Sequence, residues 1–202
     1  LLALPISRIL QATDLQLLMQ LAQEDEKALE LLYRRYKAQV YNTALSYLQQ
    51  AEVAEEITQD VFIQIYRSAA NFQEQASVST WIYRICVNKS IDQLRYQKRK
   101  KRFVKLVSLT NKEASLPESP DFIHPGVLLE QRENAQYLFK VIKELSESQQ
   151  TAFILSYVEG LPQQEVALVM ELSVKAVESL LQRAKKNLRK KLEKHYPGRR
   201  KS

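Results

Sequence analysis

Apolar residues between positions 13 and 98 return at three- and four-residue steps almost without interruption, the spacing that places them on one side of a helix. Ahead of "LQLLMQLAQ", Thr13 or Asp14 is positioned to cap a first helix. "EKALELLYRRYKAQVYNTALSYL" predicts a longer one, with Ala28, Leu31, Leu32, Tyr36, Val40 and Ala44 on a single face. In "AEVAEEITQDVFIQIYRSAANF" the stripe is Ala54, Ile57, Val61 and Ile65, widened by Phe62 and Tyr66, while Glu55, Glu56, Gln59, Asp60 and Gln64 fall largely outside it. A polar loop, 71 to 79, then leads into a helix whose apolar set is Trp81, Ile82, Ile85, Val87, Ile91 and Leu94. Tyr83, Arg84, Asn88, Lys89, Asp92, Arg95 and Tyr96 lie between these, and cations run from Lys98 to Arg102.

The period is lost over 105–128, where Pro117, Pro120, Pro125 and Gly126 collect with Ser, Asn and Asp, which predicts a linker. Helical patterning resumes from Leu129 to Lys194. Ser148 is read as the cap of a helix through "QQTAFILSYVEG" that stops at Gly160, and Pro162 suits the first turn of the next, where its missing amide would be unpaired in any case. Glu171, Leu172 and Ser173 make a turn, and Ser173 caps a last helix with Val174, Val177, Leu181, Ala184, Leu188 and Leu192 facing inward. A short helix, a tight turn and a longer helix is the helix-turn-helix arrangement, whose second helix enters the major groove of DNA. Antiparallel helical hairpins share that pattern. The predicted fold is therefore all-α: two small helical domains, 13–104 and 129–195, an irregular linker at 105–128 and a basic tail at 196–202.

Composition agrees with that class, since the chain has only 3 Gly and 6 Pro in 202 residues, with 45% apolar and 26% charged side chains. A formal charge of +7 favours a polyanionic partner without naming one. Aromatic side chains beside cations and amides in 81–102 sharpen this, because bases stack on rings while Lys and Arg neutralise phosphates. One cysteine, Cys86, excludes an intramolecular disulfide framework, points to the cytosol and sits among apolar helix positions, where an inert thiol is expected. The apolar opening Leu1 to Leu10 lacks a basic leader, contains Pro5 and is too short to span a bilayer, so no membrane insertion is expected. His124 and His195 have no positioned partner, no Gly-rich phosphate loop occurs, and the acidic residues lack metal-ligand spacing, so no catalytic set, metal or cofactor is expected.

Three blocks, "LYRRYKAQVYNTALSYL", "AEEITQDVFIQIYRSAANF" and "STWIYRICVNKSIDQLR", resemble successive helices of the promoter-melting domain of bacterial sigma factors of the extracytoplasmic-function (ECF) group. "LSESQQTAFILSYVEGLPQQEVALVMELSVKAVESLLQRAKKNLRKKL" resembles that family's C-terminal domain almost from end to end. The resemblance implies a subunit that binds core RNA polymerase, directs it to promoters and assists melting, with no enzymatic activity of its own. It further implies that Glu56, Gln59 and Asp60 dock on the clamp helices of the largest polymerase subunit. The loop from Asn71 to Ser79 would capture a base flipped out of the minus-ten element. Trp81, Arg84, Asn88, Lys89 and Arg95 would line the melted element. The C-terminal domain would sit on the flap of the second-largest subunit, with Lys175, Glu178, Ser179, Gln182, Arg183 and Lys186 toward the minus-thirty-five element. An anti-sigma factor is the further partner implied.

One departure stands out. Where Glu178 and Leu180 flank Ser179, family members commonly carry basic residues. A carboxylate is repelled by phosphate but accepts a hydrogen bond from cytosine's amine, and a leucine packs on a thymine methyl. The departure thus fits either an unusual minus-thirty-five sequence or a weakly binding domain that depends on Arg183, Lys185 and Lys186 for phosphate contacts. Two other readings share parts of the pattern: a helix-turn-helix regulator of duplex DNA that is no polymerase subunit, and a helical scaffold that binds proteins only. The stretch 81–102 separates the first, since a sensor domain has no need of a single-strand surface.

Overall fold

The computed structural model describes residues 12–108 and 132–195, and all regular structure in them is helical. Linker positions 109–128, the first three positions of the expected second domain (129–131), the apolar opening, the tail and His124 lie outside the described residues.

Four helices build the first domain: α1 (Asp14–Leu21), α2 (Glu26–Leu48), α3 (Ala51–Ser68) and α4 (Val78–Ser108). Thr13 caps α1 through a reciprocal pair, its Oγ1 accepting from Gln16 N at 3.2 Å while Gln16 Oε1 accepts from Thr13 N at 2.8 Å. Asp14 instead turns to α2, where its carboxylate accepts from Arg35 at 2.7 Å and from the Tyr36 hydroxyl. Leu17, Leu21, Leu32, Val40, Ala44, Val61, Ile65 and Ile82 close the core among α1 to α4. Phe62 joins it, but Tyr66 does not: it is exposed on the outer side of α3. α4 also departs from the single predicted stripe. Tyr83 and Cys86 are buried in it together with Val87 and Leu94, because α4 packs on α2 and α3 and also on a helix of the second domain. The helix runs four residues past the expected domain end at 104.

The second domain comprises α5 (Arg132–Ile142), α6 (Glu147–Phe153), α7 (Gln163–Met170) and α8 (Val174–His195). Ser146, not Ser148, occupies the cap position of α6. The helix then widens into a π-type turn over Ile154–Val158, with Glu159 N donating to Ile154 O at 2.9 Å, and Gly160 leaves it at φ +72°, where a side chain would be strained. Pro162 stands one residue ahead of α7, and Ser173 caps α8 by accepting from Ala176 N at 3.2 Å. Val177, Leu181, Ala184 and Leu188 face inward as predicted, whereas Val174 is exposed.

The two domains touch. α4 packs against α7, and α2 against the π turn. Gln49 Nε2 donates to Phe139 O at 2.7 Å and Lys143 Nζ to Leu48 O at 2.9 Å. Glu159 lies at this seam beside Tyr47, Tyr83 and Cys86, and burial pushes its carboxyl up to about 7. Its folded value exceeds the unfolded one, so the protonated form favours the packed seam and that stability is lost as pH rises through about 7. Lys143, pushed down to about 8 by burial and by Lys101, acts in the opposite sense, but only above that pH. Between pH 5 and roughly 7.5 the Glu159 contribution should therefore dominate the slope. Glu159→Gln is expected to raise stability at pH 7.5 by about 2 kcal/mol and to flatten the profile below it. Denaturant melts at several pH values check this, and an unaltered slope would rule it out.

Candidate nucleic-acid interface

α3 divides cleanly. Its buried side is Ala54, Ile57, Val61, Phe62 and Ile65, and its outer side carries Glu55, Glu56, Gln59 and Asp60 in solvent. Ile63 and Tyr66 stand in the same outer row, 48% and 43% exposed. Their spacing from Gln59, four and seven residues, is helical and marks them as part of that face, although sequence reasoning placed Tyr66 inside and passed over Ile63. Asp60 reaches Lys89 of α4 at 3.9 Å.

After α3 the chain tightens into a single 3-10 turn, Ala69–Asn71, and crosses to α4 through a loop in which Glu74 takes φ +54°. Ser77 secures the start of α4: its Oγ accepts from Thr80 N at 3.0 Å and lies 2.8 Å from Thr80 Oγ1. Asn71, Phe72, Gln73, Gln75 and Ala76 from the loop, with Trp81 and Arg84 from α4, line an open pocket of about 140 Å³. The rings of Phe72 and Trp81 stand 5.3 Å apart at 58°, in ring contact at one wall. Trp81 is half-buried against the core. Of the two loop residues singled out from sequence, Asn71 is in the pocket, whereas Ser79 points to Tyr36 on the other side of the helix start. Phe72, Gln73 and Gln75 were not singled out individually; their place in the loop 71–79 is the sequence signal they carry.

Along α4, Arg84, Asn88 and Arg95 follow one another on one side, and Lys89 sits beside them. Asn88 and Arg95 are exposed, Arg84 and Lys89 partly so. On α8, Lys175, Glu178, Ser179, Gln182, Arg183 and Lys186 are all exposed. Leu180 is not among them. At 9% exposure it belongs to the core with Val177 and Ala184, three residues before it and four after, so the suggestion that it meets a thymine methyl is corrected. Lys185 stands over the Tyr157 ring at 4.6 Å, and Arg183 Nε donates to Ser179 O at 3.2 Å.

Two separated acidic and basic faces on a helical domain, followed by a helix-turn-helix, agree with what similarity to known proteins supplies. Residues 32–100 match Sigma-70 region 2, and residues 135–188 match Sigma-70, region 4. The chain belongs to the sigma-70 family. Its curated relatives place it in the ECF group: it is 29% identical to the ECF RNA polymerase sigma-E factor of Escherichia coli K12, over 91% of this chain and 96% of that one. It is 27% identical to the RNA polymerase sigma-H factor of Pseudomonas aeruginosa, over 91% and 95%. Among solved structures, a sigma factor RpoE of Bartonella quintana, in complex with the anti-sigma factor NepR, has the same fold at a TM-score of 0.60 and 19% identity, covering 85% of this chain and 98% of that one.

This sigma factor binds RNA polymerase and gives it promoter specificity, rather than acting as a separate DNA-binding regulator, and it is not an enzyme. No described helix is long and apolar enough to cross a membrane, and the described residues hold no cluster of metal-ligating side chains. Cys86 is buried, donates to Val40 O at 3.5 Å, and has its thiol pushed up to about 12 by that burial, which leaves it unreactive.

Proposed function

We propose that the sigma factor divides its tasks among three faces. The outer side of α3, with Glu56, Gln59 and Asp60 at its centre and Ile63 and Tyr66 at its edge, docks on the clamp helices of the largest polymerase subunit. The pocket between the 71–77 loop and α4 takes a base flipped from the non-template strand of the minus-ten element. Arg84, Asn88, Lys89 and Arg95 hold the flanking backbone. The exposed row Lys175, Glu178, Ser179, Gln182, Arg183 and Lys186 enters the major groove at the minus-thirty-five element while its domain rests on the flap of the second-largest subunit. Residues 13–104 are thus the melting domain, 105–128 the connection, 129–195 the upstream-reading domain and 196–202 a basic tail. The observation that carries this reading is the pocket itself: amides of Asn71, Gln73 and Gln75 beside the Phe72 and Trp81 rings and the Arg84 guanidinium offer both hydrogen bonds and a stacking surface. A base bound there offsets the cost of unstacking it, so strand opening needs no nucleotide-driven motor.

The compartment is the cytoplasm, where polymerase and promoters are. An anti-sigma factor is the further partner, a reading supported by the RpoE structure, in which such a factor is bound to the related fold. Transcription in vitro tests the whole assignment: core polymerase, purified sigma factor and fragmented genomic DNA, with start sites mapped. Starts that share spaced minus-ten and minus-thirty-five sequences and vanish without the protein are the expected result. Starts at random positions would defeat it. In the same assay Glu178→Lys is expected to change the preferred base at one minus-thirty-five position, since a carboxylate accepting from cytosine becomes a donor suited to guanine. A preference identical to that of the unaltered protein would place the side chain away from the bases.

A further inference from the structure

Two walls make the pocket, and they come from separate stretches of the chain. Asn71 and the loop after it form one, Trp81 and Arg84 of α4 the other. α1 touches the elements behind both: it packs against the 3-10 turn Ala69–Asn71 and against α4. The N-terminal end of α1 is then tied to the start of α4 by a chain of side chains. The Tyr36 hydroxyl donates to the Asp14 carboxylate, which offers acceptors only. That leaves the Tyr36 oxygen to accept, and Ser79 is the side chain that meets it. Ser79 lies in the first turn of α4, two residues before Trp81. Tyr36 is buried, and that burial, with the carboxylate beside it, pushes its hydroxyl well above its ordinary range, so it remains a donor throughout the neutral range. Arg35 secures the same end of α1, with Nη1 2.7 Å from Asp14 Oδ1 and Nη2 donating to Ala12 O at 2.7 Å.

None of Asp14, Arg35, Tyr36 and Ser79 stands in the pocket wall, and none belongs to the faces assigned to polymerase or to the minus-thirty-five element. We propose that Tyr36 and Asp14 are positioning residues for base capture: through Ser79 they set where Trp81 stands relative to the 71–77 loop, so that the pocket is formed before a base arrives. The inference rests on the assignment of that pocket to the flipped base. Without the brace, the wall has to be ordered as the base enters, and that ordering draws on the same stacking and hydrogen bonds that offset unstacking. The cost therefore falls on the opening step and spares the closed complex.

Trp81 is the one tryptophan of the chain, so its fluorescence reports this wall in the free protein, apart from any promoter. Tyr36→Phe keeps the buried ring and removes only the hydroxyl. It is expected to raise acrylamide quenching of Trp81 about twofold and to slow promoter opening about fivefold, with closed-complex affinity nearly unchanged. A premelted template should restore the rate. Ser79→Ala should act in the same direction, and the double variant should be no worse than Tyr36→Phe alone, since the two act through one chain. Leu45→Ala, in the core further along α2, is the control for lost stability: it should lower the melting temperature and leave the quenching as it was.

Quenching that Tyr36→Phe leaves unchanged overturns the brace. So does an equal rise in Leu45→Ala, because the ring would then report stability alone. Effects of Tyr36→Phe and Ser79→Ala that add in the double variant also overturn it, since the two side chains would be acting apart. Raised quenching with an unchanged opening rate keeps Tyr36 as the support of the ring but overturns base capture beside it, and with that the positioning role.

Discussion

Replacing Gln59 and Asp60 together by lysine is expected to abolish binding to core RNA polymerase, raising the dissociation constant by about a hundredfold or more, with helical content and melting temperature nearly unchanged. Both side chains are in solvent on the outer side of α3, so the core beneath them, Ile57, Val61 and Ile65, is not disturbed. Among the described residues Asp60 pairs with Lys89 at 3.9 Å, and an exposed pair at that distance contributes little to the fold. The expected loss therefore comes from the partner. The proposed docking face, with Glu55, Glu56 and Asp60 around Ile63 and Tyr66, suits a surface with basic groups around an apolar centre, and two new cations at its middle set like charges against that surface. Fluorescence anisotropy with labelled polymerase reads the affinity, and a melt on the same sample reads the fold. Binding retained with the melt unchanged would remove α3 from the interface. Ile63→Ala offers a milder companion test, because 48% exposure of an isoleucine in a row of polar residues costs the free protein little to lose.

Helices were legible in this sequence wherever one side of an element meets one core. The stripes of α2 and α3 and the inward row of α8 follow from three- and four-residue spacing alone, as do the caps at Thr13 and Ser173. Where an element meets two partners, the pattern has two answers. α4 reads as a single stripe with Tyr83 outside it, yet α7 of the second domain covers part of its polar side and Tyr83 and Cys86 are buried. The reverse holds for Tyr66 and Val174, apolar by type but located where no second element arrives. Leu180 was legible in principle, since 177, 180 and 184 have core spacing. Its neighbour Leu181 has it as well, and only the wider packing of α5 and α6 against α8 brings both inside.

The pocket proposed to capture a base marks a different limit. Resemblance pointed to the loop 71–79, but the residues that meet at the pocket wall, Phe72 and Trp81, are nine positions apart across an irregular turn, and no periodicity links them. The contacts between domains are less legible still. Arg84 meets Leu168 and Arg95 meets Glu147 across separations of 84 and 52 residues, for which a sequence carries no local sign. The helix-turn-helix and the helix it covers were each visible, but their juxtaposition was not.

Trp81→Ala should slow promoter opening by about ten- to a hundredfold while closed-complex formation falls far less, since stacking of one base on an aromatic ring contributes about 1–3 kcal/mol. The side chain has two roles that the substitution mixes. It packs partly on the core and stands 5.3 Å from Phe72, so its loss also loosens the pocket wall and lowers stability. The two effects separate by measurement. Stability loss alone would reduce binding and opening together and would be recovered at lower temperature, whereas loss of stacking affects the step at which the base leaves the duplex. Trp81→Phe keeps a ring at the same wall and should recover most of the opening rate, and Phe72→Leu should resemble Trp81→Ala in direction with a smaller effect. Permanganate reactivity of unpaired thymines follows opening, and filter binding on a premelted template bypasses it. If Trp81→Ala impairs the premelted template as severely as the duplex, the ring contributes to folding and the pocket is not where the base goes. If only the duplex is affected and a premelted strand restores activity, the energy for opening comes from this pocket, with the 71–77 loop as its other half.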